Sequence, residues 1–213
     1  MSARFGRFRG AWERLGREDP LWSVLADPAK RGGRWEPEAF FATGVSTVAA
    51  ILARCRALGI LPDPAGRALD FGCGVGRLTQ ALAPHFETVT GIDLSSSMLE
   101  RARAFNRHGD RVAYLHNVTG ALEGIPDASQ DFVLTLLVLQ HLPPAAVQGY
   151  LREFLRVLRT GGALVFNVPV RRQAPPPDAA APCPGGPLRL FRGARWVRPL
   201  VRLLADLWGG SGP

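Results

Sequence analysis

The feature that most constrains this chain is a change of hydrophobic period near residue 65. Beyond it, short apolar runs alternate with helix-period stretches. Residues 68–71, 88–93, 111–116, 132–139 and 163–168 read as strands, and 78–84, 95–106 and 145–158 as helices between them. The run 132–139 is almost continuously apolar, as expected of a strand covered on both faces. Five strands separated by helices predict an α/β fold. Its parallel, doubly wound sheet would have right-handed crossovers, helices on both faces and a ligand crevice at the strands' C-terminal ends. Before the switch, residues 1–62 read as a helical cap, with an apolar stripe over 45–58 that Gly59 and Pro62 terminate.

The first strand runs into Asp70-Phe71-Gly72-Cys73-Gly74-Val75-Gly76-Arg77. An acid ends the strand and three alternate glycines turn the chain into a helix. Glycine tolerates positive φ and lets a ligand approach the backbone. The spacing is G-x-G-x-G, not the G-x-G-x-x-G of dinucleotide sites, whose third glycine is replaced by Arg77. A pyrophosphate would also face Asp70, anion against anion. The turn suits a cationic or ammonium-bearing ligand instead. Asp93 ends the second strand seventeen residues after Gly76, where a carboxylate can accept hydrogen bonds from both ribose hydroxyls. A nucleoside positively charged near the glycine turn describes S-adenosyl-L-methionine.

Four segments, in order, then carry a resemblance: DFGCGVGRLTQAL, GIDLSSSMLERAR, PDASQDFVLTLLVLQHLPP and LRVLRTGGALVFNVP. Together they resemble the class I S-adenosylmethionine-dependent methyltransferases of the type 11 kind, over roughly residues 65–170. The resemblance implies strand order 3-2-1-4-5. It implies that Asp70, Gly72, Gly74 and Gly76 line the methionyl part of the cofactor, that Asp93 holds the ribose, and that Leu94 and Met98 pack on the adenine. By the same resemblance Asn117 lies near the adenine amino group, with Val118 where an acid or amide is common, and Leu136 walls the sulfonium. The family sheet has seven strands. No sixth or seventh is readable here, which predicts a member lacking the final hairpin, with residues 163–168 as an exposed apolar edge.

Other residues stay open at this level. His141, just past the fourth strand, is either a proton acceptor for the methylated group or a turn cap. A cation in a helix's first turn opposes the helix dipole by about 0.3–1 kcal/mol. Arg77 therefore implies an acidic neighbour, Asp70 or a ligand carboxylate, unless it points to solvent. Trp22, Trp35, Phe40 and Phe41 are either core of the cap or a lid on the crevice. Cys73 reads as a small turn residue. Cys55, Cys73 and Cys183 form neither a disulfide framework nor a zinc pattern, which implies a reduced, cytoplasmic setting and no metal.

Charge divides the chain further. The formal charge is +8, yet residues 19–170 carry fourteen cations and fourteen anions; the excess lies in 1–18 (+3) and 171–213 (+5). With Lys30 the one lysine, the arginine bias of the whole chain weakens the high charge as a sign of nucleic-acid binding. The expected layout is a cap over 1–62, a cofactor-binding domain over 63–170, a Pro/Ala/Gly linker over 171–187, and a basic amphipathic helix with tail over 188–213. The activity expected is methyl transfer to a small-molecule or saccharide acceptor. A non-catalytic cofactor-binding remnant or regulator is one alternative. The other is a membrane-surface or nucleic-acid module acting through the arginine-rich ends.

Overall fold

The computed structural model describes residues 3–60, 62–168 and 188–192. One sheet organises them, in the order β3-β2-β1-β4-β5-β6. Strands β1 (Arg67–Phe71), β2 (Thr88–Asp93), β3 (Val112–His116), β4 (Gln130–Thr135) and β5 (Leu158–Asn167) are parallel, in the predicted order. The chain steps outward from β1 to β2 and β3, then returns to lay β4 on β1's other side. That reversal opens the crevice between the C-terminal ends of β1 and β4.

Helices α3 (Pro37–Ala57), α4 (Arg77–Leu82) and α5 (Ser96–Phe105) cover one face, where Val48, Leu52, Leu82 and Leu99 meet Phe132 and Leu134. Helix α6 (Pro144–Val157) covers the other face through Tyr150 and Phe154, whose rings pack on Phe71 at 4.5 and 5.0 Å. Burial of β4 on both sides fits the apolar run Phe132-Val133-Leu134; all six of its residues are buried, and the strand ends at Thr135, short of the expected 139.

Helix α3 ends as its sequence dictates. Gly59 takes a φ of 70°, which L side chains rarely adopt, while Gly59 N–H and Ile60 N–H bond back to Arg56 and Cys55 carbonyls. By length and composition α3 could cross a membrane, but its one-sided stripe of Phe40, Gly44, Val48, Ile51, Leu52 and Cys55 is buried against the body. At Gly44 a Cβ would lie 2.3 Å from the Arg77 carbonyl oxygen, so glycine is what lets α3 and α4 touch.

The N-terminal segment is helical as expected, with α1 (Ala3–Glu18) and α2 (Pro20–Val24) folded over the crevice rim. Leu21, Phe40, Val75 and Met98 form a small core there, with Trp12, Trp35 and Phe41 packed around it. Trp35, Phe40 and Phe41 are thus cap core. Trp22 donates its ring N–H to the Asp27 carbonyl and lies under Arg31.

One expectation is overturned. Residues 188–192 were expected to open a helix, with β5 left as the sheet's edge. Instead Leu188–Arg192 forms β6, antiparallel to β5 from Ala163↔Arg192 to Asn167↔Leu188. The physical reason is the open edge: β5 offers a row of unpaired N–H and C=O groups, and this segment satisfies them. Local helix periodicity loses to that tertiary partner. The expected helix beyond residue 192 and the linker over 171–187 lie outside the described residues.

Candidate functional site

Two carboxylates stand at adjacent strand ends, in different surroundings. Asp93 ends β2 and is pinned by the backbone. Its Oδ2 accepts from Gly74 N–H at 2.8 Å, and its Oδ1 from Ser95 N–H at 2.9 Å. Burial pushes its pKa up, while those N–H groups pull it down, and the net direction is upward. Each oxygen keeps a further lone pair for a ligand hydroxyl. Ser95 then caps α5, its hydroxyl accepting from Met98 N–H. Asn117 N–H bonds to the Asp93 carbonyl, which brings the end of β3 to the same rim.

Asp70, the penultimate residue of β1, is 2% exposed. Its Oδ2 accepts from the Thr79 hydroxyl at 2.6 Å, and burial raises its pKa to about 6 against an ordinary 3.8. The nearby Arg77 and the Thr79 bond only partly oppose that rise. Arg77 is itself buried, which excludes the solvated alternative. Its Nη1 reaches the hydroxyls of Thr43 and Thr47 on α3 at 3.3 and 3.4 Å. Desolvation drives its pKa down, offset in part by Asp70.

Gly72, Gly74 and Gly76 have φ values of 73°, 53° and 83°, so the turn needs glycine conformationally as well as sterically. The space beside each is filled by a different element. A Cβ would meet Val138 at Gly72, Val24 of α2 at Gly74, and the Tyr114 hydroxyl at Gly76. Asp70, Gly72, Arg77 and Leu136 share a cavity of about 20 Å³, closed by Val24 and by Leu137. Leu137 has a φ of 63° and is held by its N–H bonding to Asn167 Oδ1 at 2.7 Å. A strained non-glycine residue so fixed is a common mark of a ligand rim.

The remaining expected residues divide. Leu94 is half-buried beside Asp93, whereas Met98 is enclosed in the cap core at 1% exposure. Asn117 spends its amide on its own loop, accepting from Thr119 and donating to the Ala121 carbonyl. His141 lies on a short 3₁₀ turn after β4, its ring edge-on to Trp12 at a centroid distance of 5.4 Å. Partial shielding lowers its pKa below 6.5, so the ring is neutral at neutral pH. Cys73 is buried and its thiol pKa is pushed well up, which fits a turn residue rather than a nucleophile. Among the described residues no cluster of three metal-ligating side chains occurs.

Sequence reasoning missed Glu13. Its carboxylate accepts from Ser96 and Ser97 N–H at 2.7 and 3.1 Å, so α1 supplies an anion to the N-terminus of α5. Burial alone would raise its pKa, yet those bonds outweigh it and the net shift is downward. Gly16 allows the approach, since a Cβ there would sit 2.4 Å from the Ser97 hydroxyl. The only local hint was a glutamate near the end of an otherwise basic segment.

Comparison with known proteins agrees with this geometry. Residues 69–166 match the family model described as a methyltransferase domain. The demethylmenaquinone methyltransferase of Tropheryma whipplei is 37% identical over 130 residues, covering 58% of this chain and 50% of the relative. The 2-methyl-6-phytyl-1,4-hydroquinone methyltransferase of a Synechocystis strain is 31% identical over 161 residues, covering 74% and 44%. Among solved structures, a phosphoethanolamine N-methyltransferase from Haemonchus contortus shares the fold. Its TM-score is 0.60 at 20% identity, over 87% of this chain and 38% of that one. The chain spans about half the length of the curated relatives it matches. A parallel sheet in the order 3-2-1-4-5, an acid near the end of β1 followed by three alternate glycines, an acid closing β2 and this match together make residues 69–166 a methyltransferase domain of the class I S-adenosylmethionine-dependent kind.

Proposed function

We propose that this protein transfers a methyl group from S-adenosyl-L-methionine to a small-molecule acceptor. The observation that carries the reading is Asp93, fixed by Gly74 and Ser95 N–H groups with acceptor capacity to spare. Asp93 binds the ribose hydroxyls, and Leu94 flanks the base. Met98, enclosed under α1, supports that wall from behind. Asn117 retains one amide hydrogen for the adenine edge. Asp70, Gly72, Gly74 and Gly76 face the methionyl part, and Leu136 borders the sulfonium.

The donor set suits this cofactor, and the methionyl end of the site has a cavity of about 20 Å³ beside Asp70, Gly72 and Leu136, with Val24 of α2 standing over Gly74. The cofactor supplies an electrophilic methyl group. What the chain adds is placement of the acceptor atom in line, worth up to ~7–11 kcal/mol in effective-molarity terms. His141, neutral and at the β4 end, takes the proton where the acceptor is a hydroxyl.

The two curated relatives named above are methyltransferases of demethylmenaquinone and of a phytyl hydroquinone, and their similarity supports a small organic acceptor, saccharides among the candidates. The buried free thiols of Cys55 and Cys73 support a reducing, cytoplasmic setting. The reading of a non-catalytic remnant rested on missing sixth and seventh strands, and β6, paired along β5, weakens that ground. Calorimetric titration with S-adenosylhomocysteine tests the proposal. The wild type should bind, and Asp93→Ala should bind on the order of 100-fold more weakly, as loss of charge-assisted bonds predicts. Equal affinity in both, or none in either, would sink the cofactor reading. Release of labelled methyl onto a panel of quinols, amines and sugars then ranks acceptors.

A further inference from the structure

The mechanism above leaves Arg77 without a task, and its surroundings give it one. The side chain is 5% exposed and no carboxylate lies within ion-pair distance of it among the described residues. Asp70, the nearest acid by its influence, is already engaged by Thr79. The two groups Arg77 does touch are neutral. Thr43 donates its own hydroxyl hydrogen to the Phe40 carbonyl at 2.6 Å, and Thr47 donates to the Thr43 carbonyl at 2.7 Å. Both hydroxyls can therefore only accept from Nη1, which aims the guanidinium without neutralising it. Its Nε is buried and has no partner. A buried cation left in this state costs several kcal/mol unless an anion joins it. The cavity bounded by Asp70, Gly72 and Leu136 opens directly on Arg77.

We propose that Arg77 binds the α-carboxylate of the cofactor's methionyl end, so that Asp70 and Arg77 together form a clamp for an amino-acid zwitterion. The ammonium faces Asp70, the carboxylate faces the guanidinium, and each buried charge gains a counter-charge in direct contact when ligand is bound. The planar guanidinium can offer two parallel N–H groups to a carboxylate, which lysine cannot imitate. This rests on the cofactor reading above and adds that recognition of the amino-acid tail depends on Arg77.

The test compares S-adenosylhomocysteine with its decarboxylated analogue, which keeps the ammonium and lacks the carboxylate, by calorimetry on the full chain. The wild type should prefer the carboxylate form by roughly 10- to 100-fold. Arg77→Met should erase that preference while leaving affinity for the decarboxylated analogue within about twofold, and Arg77→Lys should retain only part of it. Should Arg77→Met fail to fold, the wild-type preference together with its reduction in Arg77→Lys decides the matter. A wild type that binds both ligands equally overturns the assignment. So does an undiminished preference in either Arg77 variant. A wild type that binds neither ligand refutes the cofactor reading itself, a result distinct from the other two.

Discussion

The two acids of the crevice rim differ in how they are satisfied. Asp93 is held by backbone N–H groups from two loops, and its position is set before any ligand arrives. Asp70 and Arg77, one strand away, are buried charges served mainly by threonine hydroxyls. One half of the rim is preorganised, and the other is held in a state that a ligand would relieve. Burial raises the pKa of both acids; the chief opposition comes from the Ser95 and Gly74 N–H groups at Asp93 and from the Thr79 hydroxyl at Asp70.

The sharpest way to break this contrast is to disturb the charged half without touching its charges. In Gly44→Ala the new methyl would meet the Arg77 carbonyl, forcing α3 away from α4. We expect a loss of about 3 kcal/mol, read as a lower denaturation midpoint at unchanged m-value.

Next in size is Asp70→Asn, which should stabilise the ligand-free protein. The folded-state pKa of about 6 exceeds the ordinary 3.8, so the folded protein holds the extra proton between those values. Stability falls as pH rises through that window, and the deficit is complete above about pH 6. Removing the charge should recover about 2–3 kcal/mol at neutral pH and nothing near pH 3. Thermal melts across pH check this. A destabilised variant at neutral pH would mean that Asp70 is not strained by burial.

The smallest effect concerns the ordered half. Glu13→Ala should cost about 1 kcal/mol by uncapping α5 and loosening α1. Because the Glu13 pKa is lowered, its contribution is present above its unfolded value and is lost as pH falls below 4.5 toward the folded one. Fluorescence of Trp12, which bridges α1 and His141, reports the release. No change in that signal below pH 4.5 would argue against Glu13 tying α1 to the N-terminus of α5.

Much of this was legible in residue order because it follows from short-range rules. Period-2 and period-3.6 patterns located the five parallel strands. The Gly72–Gly74–Gly76 turn demands φ values that only glycine adopts readily, and the C-cap at Gly59 follows from the same preference. The reading failed where a distant partner decides the outcome. Residues 188–192 became a strand because β5 needed an edge partner, which no local periodicity encodes. That α1 lies over Met98 was not legible either, since that approach depends on Gly16, eighty-two positions earlier in the chain.

Sequence alone thus determined the alternation of strands and helices, the glycine turn and the two acids at the strand ends, since each is written in neighbouring residues and in fixed backbone geometry; the sheet order came from the family resemblance. Tertiary structure alone decided that Arg77 is buried with no ion pair among the described residues, that Asp70 is raised to about 6, and that Val24 of α2 stands over Gly74. Those outcomes depend on desolvation, which is set by what segments far apart in the chain exclude from water when they pack.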